Sequence, residues 1–267
     1  MRELKYLTYS MIRDFLTCPE KGRLAHIERL RRPVVKSVLL LGTGIHLGIE
    51  ARLRKGLSAV DTFEVFWGDA LKIVRERGEE VEFRDGENEV MLKELGKVML
   101  RKWESMEETP VEYDLLEEKL YVEVKGIKLY GTIDYVGEGG SLLIDWKTSS
   151  QRYSVERVNY DLQLTVYSYL LANTLGVTPK RVGFGVFVKK AFPEVQYVFG
   201  RQRTKEDFEN LERIIGKIVG DVWRGEFYKN FGMHCQWCDY YRFCMGEEGL
   251  DSFVRGDGYY ERYEEVV

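Results

Sequence analysis

Two stretches decide the fold: Ile127-Lys-Leu-Tyr-Gly-Thr-Ile-Asp134-Tyr-Val136 and, beyond Glu138-Gly-Gly-Ser141, Leu142-Leu-Ile-Asp145-Trp-Lys147. The first alternates apolar and polar residues, and the glycine pair makes a tight connection into the second. Upstream, Leu115-Leu-Glu-Glu-Lys-Leu-Tyr-Val-Glu-Val124 ends in the same alternation and turns through Lys125-Gly126. The pattern predicts three strands in hairpin succession. Side chains alternate across a strand, so Asp145 and Lys147 share one face. The hairpin can carry Asp134 beside them.

Working outward, residues 8–29 read as helical, with Ser10 as a candidate cap and Pro19 restarting a second segment. Helical patterns follow at 38–55, from a Ser58 cap to Arg77, and at 86–106. Beyond the hairpins come a helix at 156–175, strands near 182–189 and 194–200, an amphipathic helix at 204–224 and a cysteine-rich tail. This order predicts an α/β fold, a mixed central β-sheet flanked by helices. We expect one domain over 1–267, with 56–110 as a helical insertion and 113–203 as the core.

A chain of 267 residues that is 44% apolar and 31% charged is globular rather than disordered. The first residues contain no apolar core of a secretory signal, and runs such as Val38–Leu41 are too short for a bilayer. The expectation is a cytoplasmic chain without membrane contact. The net charge of −4 is unevenly spread: residues 1–55 sum to +7 and residues 56–120 to −9. A basic first quarter could form a positive wall along a cleft, although solvated helix faces laced with ion pairs have the same composition.

The charged residues on the central strands carry the chemistry. Two carboxylates converging with an amine are costly in a core unless paired or metal-bound. Without a cation, one of two close carboxylates tends to take up a proton. Oxygen donors of this kind suit Mg²⁺ or Mn²⁺. Gln163 and Tyr167 are four residues apart and share a helical face. Gly42-Thr-Gly-Ile-His46 places a histidine on a helix, with Glu50 one turn later.

The succession Gly42-Thr-x-x-His46, Gly131-Thr-Ile-Asp134, Asp145-Trp-Lys147 and Gln163-x3-Tyr167 resembles the RecB-like branch of the PD-(D/E)XK nuclease superfamily. The resemblance implies a restriction-endonuclease-like core and in-line hydrolysis of DNA phosphodiesters. It implies that His46, Asp134, Asp145 and the Trp146 carbonyl bind the metal. Lys147 would orient the attacking water and stabilise developing negative charge. Gln163 and Tyr167 would support Lys147 and the DNA backbone.

All four cysteines, Cys18, Cys235, Cys238 and Cys244, fit one pattern, a lone residue followed much later by C-x2-C-x5-C. In a cytoplasmic chain this favours a metal over disulfides. The spacing itself suits a [4Fe–4S] cluster or a structural zinc. The resemblance points to the cluster, because iron–sulfur members of the branch place one cysteine before the core and three behind it. Those members include the CRISPR-associated exonuclease of the adaptation stage and the AddB nuclease domain, and Phe15-Leu-Thr-Cys18-Pro19 is typical of them. The cluster would staple the N-terminal helix to the tail. Trp237, Tyr240, Tyr241 and Phe243 are expected to shield it, or to stack on unpaired bases. His234 is surplus to four ligands, and His26 reads as a surface residue.

No Gly-x4-Gly-Lys-Ser/Thr occurs, so any helicase, like any CRISPR adaptation protein, would be a separate chain. The favoured expectation is a metal-dependent exonuclease acting on single-stranded DNA or DNA ends, in CRISPR adaptation or in recombination and repair. The alternatives are a structure-specific endonuclease, a non-catalytic cluster-dependent DNA-binding or redox-sensing protein, and a zinc-stabilised RNA nuclease.

Overall fold

The computed structural model describes residues 4–256. In chain order the elements begin with β1 (Tyr6–Thr8), α1 (Tyr9–Thr17), α2 (Pro19–Gly22), β2 (Leu30–Arg31) and β3 (Val34–Lys36). Next come α3 (Ser37–Lys55), α4 (Ala59–Glu76), β4 (Glu80–Glu82) and α5 (Glu89–Glu104). The expected hairpins are β5 (Leu115–Val124), β6 (Ile127–Gly137) and β7 (Leu142–Ser149). After them run α6 (Val155–Tyr160), α7 (Leu162–Leu175), β8 (Arg181–Val188), β9 (Glu194–Gly200), α8 (Lys205–Arg224), α9 (Tyr241–Cys244) and β10 (Val254–Arg255). No helix among the described residues is long and apolar enough to cross a membrane.

The chain folds as two units, neither continuous in sequence. One is built from Val34–Leu120 and Thr132–Arg203 and carries the mixed sheet. Here β7 runs antiparallel to the second half of β6, with Tyr135 opposite Ile144, and parallel to β8, with Asp145 opposite Phe184. β8 pairs antiparallel with β9. β7 is central in this sheet and buried on both faces: Leu142, Leu143, Ile144 and Trp146 are all buried.

Two glycine placements show how tightly this unit is packed. Helices α3, α4 and α5 close around Phe63. A Cβ at Gly96 would lie 2.2 Å from its ring, and one at Gly44 would lie 2.7 Å from it. The glycines that weaken α3 as an isolated helix therefore permit its close approach to α4. On the sheet, Trp146 faces away from Asp145 and Lys147 and lies over Gly185 of the neighbouring strand, where a Cβ would stand 2.1 Å from the indole. Trp103, Tyr135, Phe187 and Tyr197 surround that indole edge-on.

The helix expected over 156–175 is broken. Asp161 adopts an extended conformation, and its carboxylate caps α7 by accepting from the backbone N–H groups of Gln163 and Leu164. Aspartate at an N-cap satisfies two otherwise orphaned donors, which outweighs continuation of the helix.

The other unit draws on Met1–Pro33, Tyr121–Gly131 and Thr204–Val267. β1 lies parallel to the first half of β6. The cap of α1 is Thr8 rather than Ser10: its hydroxyl accepts from Met11 N, while Ser10 sits inside the first turn. Cys18 is extended, ending α1, and Pro19 opens α2 as expected. The tail folds back through β10, antiparallel to β2. Leu24, Leu30, Tyr240 and Phe253 make a small core beneath it.

Gly185→Ala should drive the indole off its neighbouring strand and lower stability by about 1–3 kcal/mol. Gly68→Ala, on α4 where an added Cβ meets nothing within 4 Å, should instead raise stability by about 0.5–1 kcal/mol. Urea denaturation of the two variants beside wild type checks both signs.

Candidate active site

The charged residues predicted from the hairpins meet in the sheet-bearing unit, on four elements. His46 comes from α3, Asp134 from β6, Asp145 and Lys147 from β7, and Gln163 and Tyr167 from α7. Asp145 is 1% exposed and Asp134 is 5% exposed. Gln163 Nε2 donates to Asp145 Oδ1 and to the Tyr167 hydroxyl, both at 2.8 Å. Lys147 Nζ stands 2.5 Å from Asp145 Oδ2 as an ion pair. That oxygen has no hydrogen-bond partner of good geometry. Asp134 Oδ2 accepts from the Trp146 backbone N–H at 2.8 Å. His46 Nε2 donates to the Trp146 carbonyl at 3.0 Å, and Nδ1 faces Glu117 Oε1 at 3.1 Å. Both ring partners are acceptors, so the doubly protonated imidazolium satisfies them. Glu50 takes no part, being paired with Arg54 at 2.7 Å.

Glu117 is the residue that the sequence reading missed. Among the described residues, one group of three His, Cys, Asp or Glu ligand atoms lies mutually within 4.8 Å: His46, Glu117 and Asp134. Glu117 sits in β5 at φ 45°, a left-handed conformation rare for a side chain other than glycine or asparagine. Such a backbone persists only where its surroundings over-determine it. Arg54 holds the preceding carbonyl, that of Leu116. In the run Leu-Leu-Glu-Glu-Lys nothing distinguishes Glu117 from Glu118, because simple alternation fails at a distorted strand residue.

The electrostatics follow from crowding. Burial pushes the carboxyls of Asp134 and Asp145 above the usual carboxylate range, against the opposing pull of His46 and Lys147. Burial alone would lower the His46 imidazolium, but Asp134, Glu117 and Asp145 reverse this and lift it to about 10. Burial would likewise lower Lys147, and Asp145 with Asp134 hold it above its ordinary value. The raised carboxyls of Asp134 and Asp145, with Glu117 beside them, are a donor set whose charge a divalent cation can satisfy in place of protons. The Asp145 oxygen that only the Lys147 ion pair engages and the close triplet of His46, Glu117 and Asp134 both fit such an ion.

A second constellation lies in the other unit. Cys18, Cys235, Cys238 and Cys244 line one small cavity with Lys21, Lys229 and His234. Asn230 N donates to Cys18 Sγ at 3.3 Å, and Asn230 Nδ2 donates to the Thr17 carbonyl at 2.8 Å. Burial raises the Cys238 and Cys244 thiols. The sulfurs form no group of three within 4.8 Å of one another. Of the aromatics expected to cover them, Tyr240 is buried in the small core and Phe243 packs against it. Tyr240 and Tyr241 both line the cavity, Tyr241 being 41% exposed, whereas Trp237 is 74% exposed and is not part of the lining. His26 is no surface residue: its Nε2 lies 2.9 Å from the buried Asp14 carboxylate, which Lys21 also contacts.

A mixed sheet with buried acidic residues and a lysine at its centre defines a class, and comparison with known proteins agrees. The family model of the PD-(D/E)XK nuclease superfamily matches residues 6–245, and the chain belongs to that superfamily. No curated protein matches the chain. A crystal structure from Eubacterium rectale named "Putative exonuclease" aligns over 90% of this chain and 88% of its own, at 16% identity and a TM-score of 0.63, a likeness of fold. The structure named SSO0001 aligns over 90% of this chain and 96% of its own at 14% identity, with a TM-score of 0.35.

Asp134, Asp145, His46 and Lys147 all bind protons more tightly folded than unfolded. Folding therefore takes up protons, and metal-free stability should fall as pH rises from the ordinary carboxylate range towards about 10. In EDTA, Tm should drop over this range, and Mn²⁺ should reverse the drop. Calorimetric titration of Mn²⁺ in buffers of different ionisation heat should show proton release. A flat Tm profile identical to that of Asp145→Asn would contradict this account of the site.

Proposed function

We propose that the chain is a divalent-metal-dependent deoxyribonuclease that degrades single-stranded DNA or DNA ends as an exonuclease. The observation that carries this reading is the Asp145 carboxylate, buried and held from two sides by Lys147 and Gln163, beside Asp134 and His46. So elaborate an arrangement of buried charge has little structural use in a sheet.

Asp134, Asp145, His46 and the Trp146 carbonyl are the proposed metal ligands, and Glu117 joins them as a candidate. A bound Mg²⁺ or Mn²⁺ would supply Lewis acidity towards a phosphate oxygen and lower the pKa of water. Lys147 keeps its proton across the working range and keeps about 29% of its side chain exposed. It can therefore present a fixed positive charge to a phosphate and hold the attacking water by hydrogen bonding. Gln163 fixes one oxygen of Asp145, leaving the other for Lys147 or the ion. The Tyr167 hydroxyl stays protonated, its pKa raised by burial and by Asp145 and Asp134. It remains a hydrogen-bonding partner for Gln163.

For the thiol centre we propose a [4Fe–4S] cluster on Cys18, Cys235, Cys238 and Cys244. Tetrahedral zinc–thiolate bonds of about 2.3 Å would bring the sulfurs roughly 3.8 Å apart. The resemblance to the iron–sulfur branch supports the larger cubane, and the sulfurs do not stand in the close triplet that zinc would draw together. That resemblance also supports a setting in CRISPR adaptation or in recombination and repair, with any helicase or adaptation protein a separate chain.

On matched linear and circular single-stranded DNA with Mn²⁺, wild type should degrade only the linear form, and Asp145→Asn should lose activity at least 10³-fold with its fold intact. Nicking of the circle would move the assignment to an endonuclease. Full activity in Asp145→Asn would overturn the site. Purified without oxygen, wild type should be brown and Cys238→Ala colourless with a lower Tm. A colourless wild type holding stoichiometric zinc would overturn the cluster.

A further inference from the structure

We infer that Arg203 is a positioning residue for the Asp145 site, acting through Gln163; the inference rests on the nuclease reading above. Arg203 is 2% exposed. All three of its guanidinium nitrogens are engaged. Nε donates to Thr165 Oγ1 at 2.9 Å, and Nη1 donates to the Arg201 carbonyl at 3.0 Å. Nη2 donates to the carbonyls of Val158 and Asp161, at 2.6 and 3.2 Å. These acceptors lie on both sides of the break between α6 and α7. Thr165 Oγ1 also donates to the Asp161 carbonyl, at 3.1 Å.

The break matters because it sets the phase of α7. Each residue turns an α-helix by about 100°. If the chain ran helically through Asp161, Gln163 would face another direction. Instead Asp161 is held extended, its carboxylate caps Gln163 N and Leu164 N, and Gln163 Nε2 reaches Asp145 Oδ1. The guanidinium is the group that ties the carbonyls before the break to the hydroxyl after it. A planar fork with donors in several directions can do this. A lysine ammonium, a single donor centre on a flexible stem, cannot span Thr165, Arg201 and the two helix-end carbonyls together.

The test is a double-mutant cycle on Arg203→Lys and Gln163→Ala, read by Mn²⁺ affinity in calorimetry, by kcat and KM on linear DNA, and by urea denaturation. Arg203→Lys should weaken Mn²⁺ binding roughly tenfold, the range seen when groups that orient metal ligands are removed. It should lower kcat while leaving KM for DNA unchanged, and the double variant should be no worse than Gln163→Ala alone. Thr165→Val, which removes one acceptor, should act in the same direction more weakly. It serves if Arg203→Lys does not fold, and Thr165→Ser should restore wild-type behaviour. Lower stability with unchanged Mn²⁺ affinity and kcat would reduce Arg203 to a structural role and overturn the inference, as would fully additive effects. If wild type binds no Mn²⁺, the nuclease reading fails. The cycle in stability then still decides the inference: coupling between the two positions sustains the clamp and additivity refutes it.

Discussion

A carboxylate that is 1% exposed cannot remain charged without help, and much of the sheet-bearing unit is arranged around supplying that help to Asp145. Lys147 arrives on the same face because it is two residues along the same strand. Gln163 arrives because α7 begins afresh at Asp161, and Tyr167 because it is one turn further on. Trp146, between the two charged residues, is turned to the other side and seated over Gly185 among aromatic rings. Apolar packing on one face thus fixes where the charges stand on the other.

The two constellations obey different chemistry and are kept in different units. Oxygen and imidazole donors gather on the sheet, suited to a hard cation, and the thiols of Cys18 and the tail gather in the other unit, suited to a soft metal or cluster. The tail does not depend on sulfur alone. Arg32 pairs with Glu248, donates to the Asp239 carbonyl and lies over the Phe253 ring. Tyr240 donates to the Leu30 carbonyl at 2.6 Å. These contacts bring the N-terminal and C-terminal segments of that unit together independently of any ligand on the cysteines.

Much of this was legible in the sequence because it rests on local periodicity. The β5–β6–β7 succession, the Ser58 cap and the long α8 follow from alternation, glycine turns and helix signals. The shared face of Asp145 and Lys147 needs only the pleat of a strand. What escaped depends on contacts that periodicity does not encode. Glu117 enters the site through a left-handed strand residue. The division of 156–175 into two helices depends on a side-chain cap and on Arg203, far along the chain. The exposure of Trp237 and Tyr241, against the burial of Tyr240, reflects how the short helical turns of the tail are oriented, and aromatic composition cannot show that.

The interleaving of the two units imposes an order of completion during translation. Every residue of the sheet-bearing unit has been polymerised once Arg203 is added, whereas the other unit still lacks α8 and the cysteines that follow it. Cys18 therefore waits through more than two hundred residues of elongation before Cys235 exists. Chain synthesis itself thus completes the residue set of the acidic centre before that of the thiol centre.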